Sequence, residues 1–311
     1  MSHFGSDYAL GVGAVLFASV IWGTTGTAAT FAPEVSAAAI GAAAMGLGGL
    51  MQALYAGRSI RASLPALADH KAMLLLGGLA VAIYPLAFYA SMRLAGVTIG
   101  TVVTIGSAPI LSALIEFIFD RTRLTARWVT AALIGLLGMA LLCLDKGGSH
   151  GGGAAGGDQA LLGILLGLIG GLTYALYSWT ARRVMLSGIR SDVAMGATFG
   201  IGGLLLLPVL IATGAPFLQS WQNASVGIYM AVVPMFLGYL AFGLGLARIP
   251  ASTATTLTLT EPVVAAILAI LIVGERLTPI GWTGIALIIG CLAVLTAPRR
   301  SRAALAMSGG A

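Results

Sequence analysis

Glu261 is the one acidic residue near the middle of an apolar run, eleven residues into a stretch that spans 250–273. A carboxyl group at that depth offers two kinds of chemistry: it can exchange a proton, or it can pair with the ammonium group of a bound molecule. The residue after it, Pro262, frees backbone groups with which the carboxyl could bond instead, so a purely structural role stays open. Aromatic side chains gather on four other apolar runs, as Trp22, as Tyr84, Phe88 and Tyr89, as Tyr174, Tyr177 and Trp179, and as Phe236, Tyr239 and Phe242. Tyr84 and Phe88 are spaced i,i+4, and Tyr174 with Tyr177 and Tyr239 with Phe242 i,i+3, so each pair shares a helix face. Hydroxyl groups collect as Thr101, Thr104 and Ser107, and again as Thr253, Thr256 and Thr260. The pattern predicts one cavity with aromatic and hydroxyl-bearing walls, in which Trp22, Tyr84, Phe88, Tyr89, Thr101, Tyr174, Tyr177, Tyr239, Phe242, Thr256 and Glu261 touch a small molecule. The competing reading has the aromatics as interface anchors and the threonines bonding back to their own helices. Trp128 and Trp282, at the ends of their runs, fit the anchor role better.

Other chemistry is poorly supplied. The three histidines, His3, His70 and His150, lie far apart and outside the apolar runs. Cys143 and Cys291 sit singly within apolar stretches, which gives neither a disulfide framework nor metal-ligand spacing. No metal or cofactor is expected, and no convergent set of His, Asp, Cys or Ser suggests an enzyme.

The elements that must position these residues follow from composition. Of the 311 residues 59% are hydrophobic and 8% charged, and the mean hydropathy is +1.00. Soluble chains carry about 25% charged residues, so this composition marks an integral membrane protein. A crossing helix needs roughly 20 apolar residues. Ten such runs are predicted, at 8–29, 35–56, 71–92, 97–118, 126–144, 160–182, 192–213, 224–246, 250–273 and 280–297. The first has Asp7 before it and is too long for a signal peptide. The net charge of +6 comes from residues set singly or in pairs at run ends, so nucleic acid is not an expected partner. With the N-terminus inside, thirteen of the sixteen Lys and Arg fall on the inner side, which predicts that both termini are cytoplasmic.

The stretch Asp145 to Asp158 contains seven glycines and reads as a flexible linker between two five-helix halves. The expected organisation is a first repeat at 1–145, a linker at 146–158, a second repeat at 159–298 and a basic tail at 299–311. At an offset of 152 to 153 residues Gly11 meets Gly163, Trp22 meets Tyr174, Pro109 meets Pro262, and Arg123-Leu124-Thr125 meets Arg276-Leu277-Thr278. Five is odd, so the second copy must enter from the opposite side, as an inverted repeat around a central cavity. Pro85, Pro109, Pro234 and Pro262 are expected to interrupt the third, fourth, eighth and ninth helices and to serve as hinges. The 44 glycines include stripes such as Gly163, Gly167 and Gly171, read as packing within one protomer, with a dimer seam as the alternative.

Ten helices in a 5+5 duplication, Ser107-Ala108-Pro109 and Thr260-Glu261-Pro262, and Gly274-Glu275-Arg276-Leu277-Thr278 before a Gly-rich last helix resemble the EamA-type exporters of the drug/metabolite transporter superfamily. The first-half counterpart, Arg121-Thr122-Arg123-Leu124-Thr125, departs from the motif by lacking Gly and Glu. The resemblance implies a bacterial inner-membrane exporter of small metabolites, with the aromatic amino-acid exporters as the nearest branch. The expectation is facilitated export of aromatic and other neutral amino acids by alternating access. The alternative is a proton-coupled multidrug exporter that uses Glu261 as counter-charge for organic cations.

Overall fold

The computed structural model describes residues 2–149, 157–273 and 276–297, and the described residues are helical and form no strand. Residues 150–156 of the glycine-rich connection, Gly274 and Glu275 of the closing motif, and the tail from 298 onward lie outside the described residues. Among the described residues ten helices are long and apolar enough to cross a membrane: α1 (Ser6–Thr30), α2 (Ala37–Tyr55), α3 (Lys71–Ala95), α4 (Ile99–Phe119), α5 (Ala126–Asp145), α6 (Asp158–Leu186), α7 (Ser191–Thr213), α8 (Trp221–Leu246), α9 (Ala251–Ile272) and α10 (Pro279–Thr296). Two short helices, Gly57–Ala62 and Leu64–Asp69, join α2 to α3.

Local chemistry sets where several of these helices begin. Ser36, Ser220 and Thr278 present side-chain oxygens to the amides of Ala39, Asn223 and Ile280 at 3.2, 3.1 and 3.3 Å. Each satisfies a donor that the first turn leaves without an intrahelical partner.

Not all ten helices are continuous. α1 turns at Gly23 and Thr24, α2 widens to a π-helix over Ala42–Leu47, and α8 does so over Ala231–Leu237, around Pro234. α9 tightens to a 3-10 turn at Thr258–Thr260 before Pro262 and widens again over Ala269–Val273. Proline removes an amide and crowds the preceding turn, which accounts for the irregularities at Pro234 and Pro262. Pro85 and Pro109, by contrast, lie inside unbroken α-helix, so the expected interruptions of α3 and α4 do not occur. One missing hydrogen bond leaves the rest of each ladder to hold its helix.

Helix pairing places α1 against α8, α6 against both α3 and α4, α2 against α7, and α5 against α10. In a bilayer such pairs gain from close van der Waals contact, because lipid tails already solvate apolar side chains. The α5–α10 pair shows how close the backbones come. A Cβ on Gly138 would lie 2.7 Å from the Gly284 carbonyl oxygen, and one on Gly284 would lie 2.6 Å from that of Gly138. The same pair is tied at both ends. Arg127 donates from Nε to the Val294 carbonyl and from Nη2 to those of Leu295 and Ala297 at the end of α10, while Asp145 accepts from the Thr278 amide at its start.

This packing predicts that Gly284→Val forces the α5 and α10 backbones apart at a cost of roughly 1–3 kcal/mol. Thermal unfolding of detergent-purified protein should show a clearly lower midpoint for Gly284→Val. Gly26→Ala, where an added Cβ meets nothing within 4 Å, should melt as wild type. Equal midpoints for all three proteins would contradict the close contact.

Candidate functional site

The aromatic residues singled out by their spacing converge from α1, α3, α6 and α8. The Trp22 ring centroid lies 4.6 Å from that of Tyr239 and 5.2 Å from that of Phe242, and its Nε1 donates to the Pro234 carbonyl at 2.8 Å. That acceptor belongs to the widened turn of α8, so the irregular backbone itself anchors the indole. The hydroxyls of Tyr177 and Tyr239 are 2.9 Å apart, and Tyr174 donates to Thr258 Oγ1 at 3.0 Å. Tyr84 joins the group at 5.5 Å from Tyr174 and 5.8 Å from Tyr177, and it lies parallel to Phe88 at 5.9 Å. Phe88 in turn meets Tyr89 at 5.4 Å. Tyr89 has room because Gly41 faces it, where a Cβ would come within 2.5 Å of the ring.

Trp22, Tyr174, Tyr177, Tyr239 and Phe242 are buried, whereas Tyr84, Phe88 and Tyr89 are half-buried. Glu261, also half-buried, lies within electrostatic reach of the hydroxyls of Tyr84, Tyr89, Tyr174 and Tyr239, which come from three different helices. It opens the α-helical segment Glu261–Leu268 that follows the 3-10 turn of α9. Among the described residues its carboxyl has no hydrogen-bond or ion-pair partner. Gly23 lets α1 approach this point closely, since a Cβ there would stand 2.9 Å from the Glu261 carbonyl oxygen.

The hydroxyl-bearing residues divide. Thr256 is fully buried and donates to the Ser252 carbonyl at 2.6 Å, and Thr260 likewise bonds back to Leu257 within α9. Thr101 is half-buried, with the sulfur of Met92 as its partner at 3.5 Å. Thr258, which the spacing did not single out, is the α9 hydroxyl that meets the aromatic group. Phe199 was also missed. It sits in an otherwise small and aliphatic helix, α7, and its ring lies 4.4 Å from Tyr239 and 5.4 Å from Tyr177.

Away from the aromatic cluster, charged groups gather where α4 meets the start of α9. α4 packs against the Ala251–Leu257 segment of α9 and makes no comparable contact with the Glu261–Leu268 segment, so the two helices diverge from the Glu116 end toward Glu261. At the contact Glu116, only 5% exposed, accepts from the Ala251 amide at 2.7 Å and the Ser252 hydroxyl at 2.5 Å. Arg182 donates from Nη1 to the carbonyls of Leu246 and Ile249, capping the end of α8. Asp120 accepts from Trp179 Nε1 at 2.9 Å and pairs with Arg183 at 2.9 Å. In the sequence Glu116 and Asp120 stand near the end of an apolar run and the arginines read as topology markers; the structure gathers them into one latch. A cavity of about 1160 Å³ lies against the outer side of this latch, and a second of about 620 Å³ opens among α1, α8 and α9 beside Thr24 and Tyr229.

The arrangement is a cluster of aromatic faces from α1, α3, α6 and α8 beside one unpartnered carboxyl on α9, with a charged cluster at the α4–α9 contact. Among the described residues no group of His, Cys, Asp and Glu is placed to hold a metal ion.

Known proteins show the same architecture. The chain is 30% identical over 294 residues to YwfM, an uncharacterized transporter of Bacillus subtilis, with 93% of this chain and 95% of YwfM covered. It is 32% identical over 158 residues to RhtA, a threonine/homoserine exporter of Escherichia coli, a match that covers 49% of this chain and 48% of RhtA. One crystal structure superposes with a TM-score of 0.71 over 98% of this chain and 99% of its own, at 20% identity, and so shares the fold. The profile of the EamA-like transporter family matches residues 9–144 and again 161–297. With ten apolar helices and that match over both halves, the chain is a multi-pass membrane protein that belongs to the EamA-like transporter family.

Proposed function

We propose that this transporter exports neutral amino acids across the bacterial inner membrane by alternating access, downhill and without a coupling ion. The observation that carries the reading is the unpartnered Glu261 carboxyl among tyrosines from α3, α6 and α8, which offers an ammonium group a counter-charge and an apolar side chain aromatic walls. The half-length likeness to a threonine/homoserine exporter supports amino acids as the class.

Alternating access needs two halves that can exchange roles, and an inverted repeat would supply them. Repeated contacts support it. α1 packs on α8 as α6 packs on α3, and corresponding glycines lie in the two contacts. A Cβ on Gly11 would lie 2.8 Å from Arg248 Cβ, and one on Gly163 would lie 2.7 Å from Ala95 Cβ. The family profile also matches each half separately. With the charge count placing both termini in the cytoplasm, the Glu116 latch faces the cytoplasm and the diverging ends of α4 and α9 face outward. The lone Glu261, matched by Ala108 in the first half, supports facilitated flux over a proton relay. The same unpartnered carboxyl among aromatic rings favours a second reading, proton-coupled export of organic cations.

Counterflow in proteoliposomes separates the readings. Threonine, homoserine or phenylalanine should exchange, and a quaternary ammonium ion should not; the reverse pattern would establish the second reading. Tyr84→Ala, Tyr177→Ala and Tyr239→Ala should each lower exchange roughly tenfold or more, the worth of one buried aromatic anchor, while the protein stays monodisperse. Normal transport by all three would remove the aromatic cluster from the path. Glu261→Gln should retain substantial exchange, and an imposed pH gradient should not concentrate substrate in wild-type vesicles. Gradient-driven accumulation that the Gln variant abolishes would make Glu261 a proton carrier.

The latch is tested separately. Glu116→Ala strands the Ala251 amide and the Ser252 hydroxyl, a loss of about 1–3 kcal/mol, or about 5–150-fold in the balance between the two states. In a background without Cys143 and Cys291, labelling of Leu257→Cys from the cytoplasmic side should quicken accordingly. An unchanged labelling rate would count against the latch.

A further inference from the structure

We propose that the cavity outside the Glu116 latch is a binding site for the phosphate of an anionic lipid headgroup. Its lining includes four guanidinium groups, Arg123, Arg127, Arg182 and Arg183, and two carboxylates, Glu116 and Asp120. Both carboxylates are already engaged. Glu116 takes the Ala251 amide and the Ser252 hydroxyl, and Asp120 takes Trp179 and Arg183. Arg183 is therefore the one arginine of the four with an acidic partner among the described residues.

The other three form no ion pair among the described residues, although Glu116 and Asp120 lie within electrostatic reach of Arg182. Arg182 is held by two backbone carbonyls and Arg127 by three, groups that accept hydrogen bonds without neutralising the cation. Arg123 is exposed and has no partner among the described residues. Four guanidinium groups against two carboxylates leave an excess of two positive charges around one cavity at the end of an apolar bundle, which attracts an anion because the surroundings screen charge less than bulk water does.

The guanidinium groups are also positioned in advance. Arg182 is fixed through Nη1, which leaves Nε and Nη2 unused, and Arg127 is fixed through Nε and Nη2, which leaves Nη1. Planar donors already held in place lose little freedom on binding an anion, and their fork geometry matches phosphate oxygens. The remaining lining selects the source. Leu124 just before α5, Trp128 in its first turn and Leu295 near the end of α10 bring apolar and aromatic surface, which suits a glycerol backbone and the start of an acyl chain. A basic pocket between helix ends with an apolar wall fits a headgroup better than a free anion. The lining shares no residue with the aromatic cluster or Glu261, so the site is distinct from the proposed transport site.

The test uses the purified full chain in a neutral detergent, with native mass spectrometry for bound lipid and thermal unfolding as a second readout. Phosphatidylglycerol should remain bound and raise the melting midpoint, phosphatidylcholine with the same chains should do neither, and inorganic phosphate should shift the midpoint far less. Arg123→Gln disturbs no intramolecular bond, so it should melt like wild type without lipid and lose about tenfold in phosphatidylglycerol affinity, the worth of one charge-assisted contact. Raising the salt concentration should weaken binding by wild type more than by the variant. Equal retention of the two lipids, or unchanged affinity in Arg123→Gln, would overturn the site. Inorganic phosphate matching phosphatidylglycerol would overturn the lipid as its occupant.

Discussion

A bilayer offers no water to a bare amide or carbonyl, and each such group left unpaired costs several kcal/mol. The irregular points of this fold are therefore the points where its helices are tied together. The widened turn of α8 exposes the carbonyls of Pro234 and Met235, and these are taken by Trp22 from α1 and Gln52 from α2. The end of α8 is taken by Arg182 from α6, the start of α9 by Glu116 from α4, and both ends of α10 by Arg127 and Asp145 from α5. Satisfying the backbone and fixing the tertiary structure are one act here.

The same constraint builds the site. The α8 irregularity at Pro234 orients Trp22 against Tyr239 and Phe242, and the tightened turn of α9 before Pro262 sets Glu261 at the head of a fresh helical segment facing the tyrosines. A continuous α9 would place that carboxyl on a different face. The aromatic cluster and Glu261 owe their placement to two irregular helices, and the charged cluster lies where those helices are capped. Transport would then consist of exchanging one set of caps for another, with the buried groups never left without partners for long.

Local signals were legible in the sequence. Ten apolar runs match the ten helices, and the i,i+3 and i,i+4 aromatic pairs do meet, because helix periodicity alone brings them onto one face. Pro234 and Pro262 mark real irregularities, while Pro85 and Pro109 do not; a proline states that one hydrogen bond is missing, not whether the neighbours can absorb the loss. Long-range pairings were illegible. Glu116 meets Ser252 across 136 positions, Arg182 meets Leu246 across 64, and nothing in the local pattern separates a buried latch residue from a charge at a helix end. Phe199 went unnoticed as a lone aromatic in a helix of small residues, and Thr256 turned its hydroxyl to its own backbone, as helical threonines readily do.

The central claim is that α4 and the adjoining α8 and α9 separate at one end as they join at the other. Spin labels at exposed positions test it directly, with one pair at Ile99 and Ile272 near the open end and one at Ile118 and Leu244 near the latch. Pulsed electron–electron distance measurements in nanodiscs should show saturating threonine shortening the first distance and lengthening the second within the same sample. Two distances that stay fixed, or that lengthen together, would contradict the account.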